Sequence, residues 1–174
     1  MLNAKVEKAI NEQIVAETYS AYLYLSMAAY FESRGLKGMG SWMKNQAQEE
    51  LTHAVKFFNY VNERGGRVIL GAIEAPPSEW QSPLAAFENA LAHEGKVTGL
   101  INGLVDLAIA EKDHASNSFL RWYVDEQVEE EATAGEIVDQ LRLIGEDGQG
   151  LLMLDRELGA RVFVYPPPAL GGEK

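Results

Sequence analysis

Apolar residues recur at three- and four-residue spacing through four long stretches of this chain, the pattern of helices that bury one face. The first stretch, about Asn3 to Ser33, aligns Val6, Ile10, Glu17, Ala21, Tyr24, Ala28 and Phe31 on one stripe. The second, about Lys37 to Glu63, aligns Gln46, Glu50, His53, Phe57 and Tyr60. The third, from Ser82 to about Glu111, carries Phe87, Leu91, Glu94, Thr98, Ile101 and Val105, and the fourth, capped by Asp113 and running to about Ile144, carries Tyr123, Gln127, Glu130, Ala134, Ile137 and Leu141. The punctuation agrees: Ser82-Pro83 is an N-cap followed by proline at N1, while Arg34-Gly35, Arg64-Gly65-Gly66 and Gly145 are stop signals. Gly38 and Gly40 weaken the start of the second helix by about 1 kcal/mol each relative to alanine. A short amphipathic fifth helix is predicted over Leu151 to Val162, ended by Pro166-Pro167-Pro168, with a frayed tail over 165–174.

The connections decide the topology. Turns of a few residues join the first helix to the second and the third to the fourth, making two antiparallel hairpins. Between the hairpins lie Arg67 to Gln81, fifteen residues that span about 50 Å when extended. A helix of 28 residues is about 42 Å long, so this connection can travel the whole length of a bundle. The prediction is all-α: one domain over 1–174, a four-helix bundle with a long second-to-third crossover.

Composition narrows the functions. The chain has 174 residues, 47% of them hydrophobic, enough for a packed core. Its net charge of −11 argues against nucleic acid as a partner, because phosphate binding needs clustered Lys and Arg. Without cysteine, disulfides, thiolate zinc sites and iron–sulfur clusters are excluded. No apolar run approaches the ~20 residues of a membrane span, and Met1-Leu2-Asn3-Ala4-Lys5 lacks a secretory h-region, so the expectation is a cytoplasmic protein with no membrane contact.

The polar residues on the buried stripes carry the chemistry. The two hairpins align without gaps at an offset of 77 residues: Ser41-Trp42-Met43-Lys44 on Ser118-Phe119-Leu120-Arg121, and Gln48-Glu49-Glu50-Leu51 on Asp125-Glu126-Gln127-Val128. The same offset carries Glu17 onto Glu94, Glu50 onto Gln127 and His53 onto Glu130. Counted from Leu36 and from Asp113, the turn positions, the members of each pair lie at equal distances, so all six meet at one level near mid-bundle. Uncompensated, several buried carboxylates would repel one another or protonate. A divalent cation supplies the opposite charge. Hard carboxylates with one imidazole suit iron or manganese, and zinc would also bind. Glu50 is placed to bridge two ions, one held by Glu17 and His53, the other by Glu94 and Glu130.

Tyr19-Ser-Ala-Tyr-Leu-Tyr-Leu-Ser-Met27, Gln48-Glu-Glu-Leu-Thr-His53 and Asp125-Glu-Gln-Val-Glu-Glu-Glu131 resemble signatures of prokaryotic non-haem ferritins of the archaeal and thermophilic type, and the likeness extends over nearly the whole chain. The resemblance implies a homo-oligomeric cage, of 24 subunits by family likeness, whose subunits oxidise Fe²⁺ with O₂ or H₂O₂ at a di-iron centre and store ferric oxyhydroxide. Carried over by position, the first iron site is Glu17, Glu50 and His53. The second is Glu50, Glu94 and Glu130, with Gln127 as a hydrogen-bonding neighbour. A third, weaker iron site would be Glu49, Glu126, Glu129 and Glu130. Tyr24 resembles the family's tyrosine beside the centre. Bacterioferritins have histidine at the position of Glu130 and a haem-ligating methionine at that of Leu51, so no haem is expected. Asn117 and Leu120 stand where animal-type ferritins place entry-channel acids, and that channel is not carried over.

Other readings remain open at several positions. Glu49, Glu126 and Glu129 also fit a solvated acidic face, and Tyr24 a core tyrosine. Trp122 reads as packing, and His114 is assigned nothing. His93 points about 100° from Glu94 on the helical wheel and is expected at the surface. Gly95, Gly99 and Gly103 form a row that either admits another backbone or is merely exposed. The rival functions are a rubrerythrin-like di-iron peroxidase, which expects a cysteine-ligated iron for electron delivery, and a metal-binding bundle without turnover.

Overall fold

Asn3 opens α1 (Ala4–Ser33) by accepting a hydrogen bond from the Lys5 amide at 2.9 Å. Ser82 caps α3 (Pro83–Ala110) through the Ala85 amide at 3.1 Å, and Asp113 caps α4 (His114–Ile144) through that of Ser116 at 3.1 Å. Gly35 and Gly65, at φ 78° and 72°, turn the chain out of α1 and of α2 (Lys37–Glu63). The computed structural model describes residues 2–162, so the expected prolyl stop and frayed tail lie outside the described residues.

α1 packs antiparallel on α2, α3 on α4, and contacts between α1 and α3 join the hairpins. The crossover runs along the outside of α1. Asn11 grips it at one end, donating to Arg67 O and accepting from the Ile69 amide. Farther along, Ser26 donates to Pro77 O, and Trp80 packs against Tyr30 at 5.3 Å. At one end of the bundle Arg64 pairs with Asp113 at 3.2 Å, tying the α2 terminus to the α3–α4 turn. No helix among the described residues is long and apolar enough to cross a membrane.

The fifth helix departs from expectation. α5 spans Gly148–Leu158, three residues earlier at its start and four at its end than the predicted Leu151 to Val162. Asp147 accounts for the early start, accepting from the Gln149 and Gly150 amides at 3.1 and 3.2 Å. Docking fixes the rest. Asp155 accepts from the Met39 amide at 2.8 Å, and so serves as the cap that Leu36 cannot supply to α2. A Cβ on Gly38 would lie 1.6 Å from Asp155 O. Gly38 is therefore the seat on which α5 rests, which outweighs its poor helix propensity.

The core forms two apolar clusters. One gathers Met27, Phe31, Trp42 and Phe87, with Leu154 and Leu158 of α5. The other gathers Ile10, Phe57, Ile101 and Tyr123 toward the opposite end. The buried stripe of α3 is wider than predicted: Ala90, His93, Val97 and Leu104 are buried, while Leu91, Thr98 and Val105 are half-buried. A helix packed on two neighbours buries an arc broad enough for side chains about 100° apart.

Candidate metal centre

Between the apolar clusters, the four helices present Glu17 (1% exposed), Glu50 (2%), His53 (3%), Glu94 (1%), Gln127 (5%) and Glu130 (6%). Donor atoms of Glu17, Glu50 and His53 all lie within 4.8 Å of one another, as do those of His53, Glu126 and Glu130. Each set has the spread of groups that can converge on one cation. His53 belongs to both: its Nδ1 is 3.5 Å from Glu50 Oε2, and its Nε2 is 3.8 Å from Glu126 Oε1.

Glu94, expected in the second site, joins neither set. Its carboxylate accepts from the Tyr24 hydroxyl and from Gln127 Nε2 at 3.3 Å. Gln127 Nε2 also lies 3.2 Å from Glu94 O and 3.3 Å from Thr98 Oγ1, and Thr98 donates to Glu131 at 2.5 Å. A groove of about 360 Å³ between α3 and α4, lined by Thr98, Asn102, Gln127 and Glu131 among others, opens beside these residues.

The supporting bonds follow the internal repeat. Gln46 Nε2 donates to Glu130 Oε2 at 2.7 Å; its counterpart at the 77-residue offset, Tyr123, donates to His53 O at 2.9 Å. Each hairpin thus steadies the site residue of the other. Gln13, one turn before Glu17, donates to Glu17 Oε1 at 2.9 Å, but Glu17 Oε2 is buried with no partner. Trp122 stands edge-on to His53 at 5.3 Å and carries Lys56 Nζ 3.0 Å above its ring.

Burial dominates the electrostatics. It raises Glu17 to about 7, against the opposing hydrogen bond from Gln13. Glu50 stands well above the usual carboxylate range, first through burial and then through repulsion from Glu94, Glu17 and Glu130. Burial likewise raises Glu130 well above it and Glu94 above it, although Tyr24 and Gln127 hold Glu94 back. His53 falls to about 3, from burial and then Lys56, so its imidazole is neutral at physiological pH and its lone pair is available. Burial thus opposes charging these carboxyls, and a cation that supplies the opposite charge competes with their protons.

Of the outer acids, Glu126 is raised to about 7 by burial, then Glu49 and Glu129. Glu49 is half-buried and paired with Arg161 at 2.6 Å, while Glu129 is exposed. His93 corrects the surface expectation: at 9% exposure its Nε2 lies 2.8 Å from Ser20 Oγ, packed toward α1. His114 is exposed, and Gly95, Gly99 and Gly103 have open space where side chains would be. Sequence reasoning missed Gln13, Arg161, Glu131 and the Thr98 contact. Only Gln13, one helical turn from a ligand candidate, had a local signal.

A Ferritin-like domain model matches residues 7–144. The chain is 47% identical over 161 residues to the bacterial non-heme ferritin of Bacteroides fragilis strain 638R, covering 92% of this chain and all of that one. It is 42% identical over 159 residues to a probable bacterial non-heme ferritin-like protein of Haemophilus influenzae, covering 91% and 96% of the two chains. Among solved structures, an open pore ferritin from the hyperthermophilic archaeon Archaeoglobus fulgidus superposes with a TM-score of 0.92 at 60% identity, over 93% of this chain and 100% of that one.

Proposed function

Because this chain belongs to the ferritin family as a prokaryotic non-haem ferritin, an iron-storage protein, we propose that it is a ferroxidase that oxidises Fe²⁺ with O₂ inside the bundle and deposits the product within a cytoplasmic cage of 24 copies. The observation that carries the reading is Glu17 Oε2, a carboxylate oxygen buried without any hydrogen-bond donor, beside Glu50 and a neutral His53. Burying such an atom unsatisfied costs about 1–3 kcal/mol, a cost that a coordinated cation removes.

Glu17, Glu50 and His53 take the first Fe²⁺. Glu50 bridges to the second, which Glu130 and Glu94 complete once Glu94 turns from Tyr24. Gln127 then remains as a donor beside the second ion. Two adjacent ions supply two electrons together, so that 2 Fe²⁺ + O₂ + 2 H⁺ gives 2 Fe³⁺ + H₂O₂; hydrolysis, 2 Fe³⁺ + 4 H₂O giving 2 FeOOH + 6 H⁺, forms the mineral. The carboxyls release further protons as iron displaces them. Glu49, Glu126 and Glu129 receive iron leaving through Glu130.

Anaerobic loading with Fe²⁺ followed by air tests the reading. Ferric absorbance should rise far faster than in buffer, and the fast phase should vanish in Glu50→Ala while the helical fold persists. Oxidation no faster than buffer would leave a passive metal-binding bundle, and an unchanged fast phase in Glu50→Ala would refute the bridge. Sizing of the purified protein tests the cage.

A further inference from the structure

Arg161 arrives at the acids from a distant part of the sequence. Just beyond α5 the chain is pinned by Asn45, whose Nδ2 donates to Arg161 O at 2.7 Å. The guanidinium reaches back over the Trp42 ring, 5.0 Å from its centroid, and donates to Glu49 Oε2 at 2.6 Å. Its other terminal nitrogen donates to Gln46 Oε1, and Gln46 Nε2 donates in turn to Glu130 Oε2 at 2.7 Å. A fixed positive charge thus sits on one outer acid and, through a buried amide, sets the orientation of an inner one.

The acid related to Glu49 by the repeat is Glu126, and it is treated differently. The nearby cation Lys56 lies over Trp122 and forms no ion pair within 4.0 Å of Glu126. Of the two equivalent acids, Glu49 alone carries a bound cation, whose charge persists at every physiological pH.

We propose that Arg161 is a built-in counter-cation of the outer acidic site, holding Glu49 until a metal ion displaces it and positioning Glu130 through Gln46. The proposal rests on the reading of Glu49, Glu126, Glu129 and Glu130 as an iron-receiving group. A doubly or triply charged ion outcompetes one guanidinium for a carboxylate, so iron moving outward exchanges with Arg161, and Arg161 returns when the ion passes on. The Glu49 carboxylate is never left uncompensated, and the competition keeps the outer site weak enough to empty.

The test titrates metal-free, full-length protein with Tb³⁺, following sensitised luminescence and heat, for the parent, Arg161→Gln, Arg161→Lys and Glu49→Gln, and for the Arg161→Gln/Glu49→Gln pair. In Arg161→Gln the weakest class of sites should tighten about tenfold, equivalent to ~1.4 kcal/mol, while the class that includes Glu130 weakens as Gln46 loses its anchor. Arg161→Lys, which keeps the charge, should stay near the parent, and the gain should disappear when Glu49 is also changed. Unaltered weak-site affinity in Arg161→Gln would overturn the proposal. A gain that survives Glu49→Gln, or that Arg161→Lys shares in full, would reduce Arg161 to a structural strap. Failure of the di-iron reading itself is separate: it would remove the tight class in every variant, whatever the weak class does.

Discussion

Raising the pH of the metal-free protein from 7 to 8 should destabilise it, and replacing Glu50 by glutamine should remove part of that loss. Burial raises Glu50 and Glu130 well above the usual carboxylate range in the folded state, whereas an unfolded glutamate ionises within it. Over this interval the folded chain binds more protons than the unfolded one, so stability falls as pH rises. A carboxyl that keeps its proton across one pH unit costs at most about 1.4 kcal/mol, and each raised carboxyl contributes in the same direction. In a chain of this size each kcal/mol lost lowers the melting temperature by about 2–4 °C.

Glu17 and Glu126, raised to about 7, titrate at the start of this interval and act in the same direction. His53 and His93, depressed to about 3 and 4, are neutral in both states above pH 7. Lys56, lowered to about 8, titrates within the interval and acts in the opposite direction. Glutamine resembles the protonated carboxyl but cannot ionise, so Glu50→Gln should show a shallower pH dependence than the parent. The assay is thermal denaturation by circular dichroism at fixed protein concentration, because assembly also shifts apparent stability. Redox-inert Zn²⁺ at a hundred times its dissociation constant should restore about 2.7 kcal/mol, and metal binding should tighten from pH 7 to 8 as fewer protons need displacing. Superimposable pH profiles for the parent and Glu50→Gln would refute the claim that burial raises Glu50.

Two further perturbations probe the surroundings. Gly38→Ala puts a methyl group 1.6 Å from Asp155 O, so α5 should leave its seat at a cost of several kcal/mol, detectable as faster amide exchange at Met39; protection equal to the parent's would disprove that docking. Changing Glu126 and Glu129 together to alanine should spare the first ferroxidase turnover and slow later ones in stopped-flow mixing, and equal loss of the first turnover would sink the handover.

How much of this was legible in the sequence depended on how far each signal travels along the chain. Glu17, Glu50, His53, Glu94, Gln127 and Glu130 could be set at one depth because hairpin geometry turns equal counts from a turn into equal heights. The crossover was legible from its length. His93 was misjudged because a wheel angle taken from one ligand ignores a second packing neighbour, and α1 supplies that neighbour through Ser20. α5 was misplaced because Gly148 and Gly150 read locally as breakers, whereas the Asp147 cap and the Gly38 seat make them helical. Arg161 offered no local signal, since its partners Gln46 and Glu49 lie more than 110 residues away.

The repeat also explains why the two halves of the centre need not behave alike. His53 and Glu130 occupy equivalent positions, yet burial leaves one a neutral imidazole and raises the other well above the usual carboxylate range. Their supports differ too: Tyr123 binds the backbone of His53, whereas Gln46 binds the side chain of Glu130 and is itself held by Arg161. A bond to the backbone fixes where His53 sits without anchoring its ring, whose Nε2 lies 3.8 Å from Glu126. A side-chain chain of contacts that ends at Glu49 couples Glu130 to whatever occupies the outer group. The Glu130 side is therefore tied through Gln46 and Arg161 to Glu49, and the His53 side is not, an asymmetry imposed by what each half adds to one repeated unit.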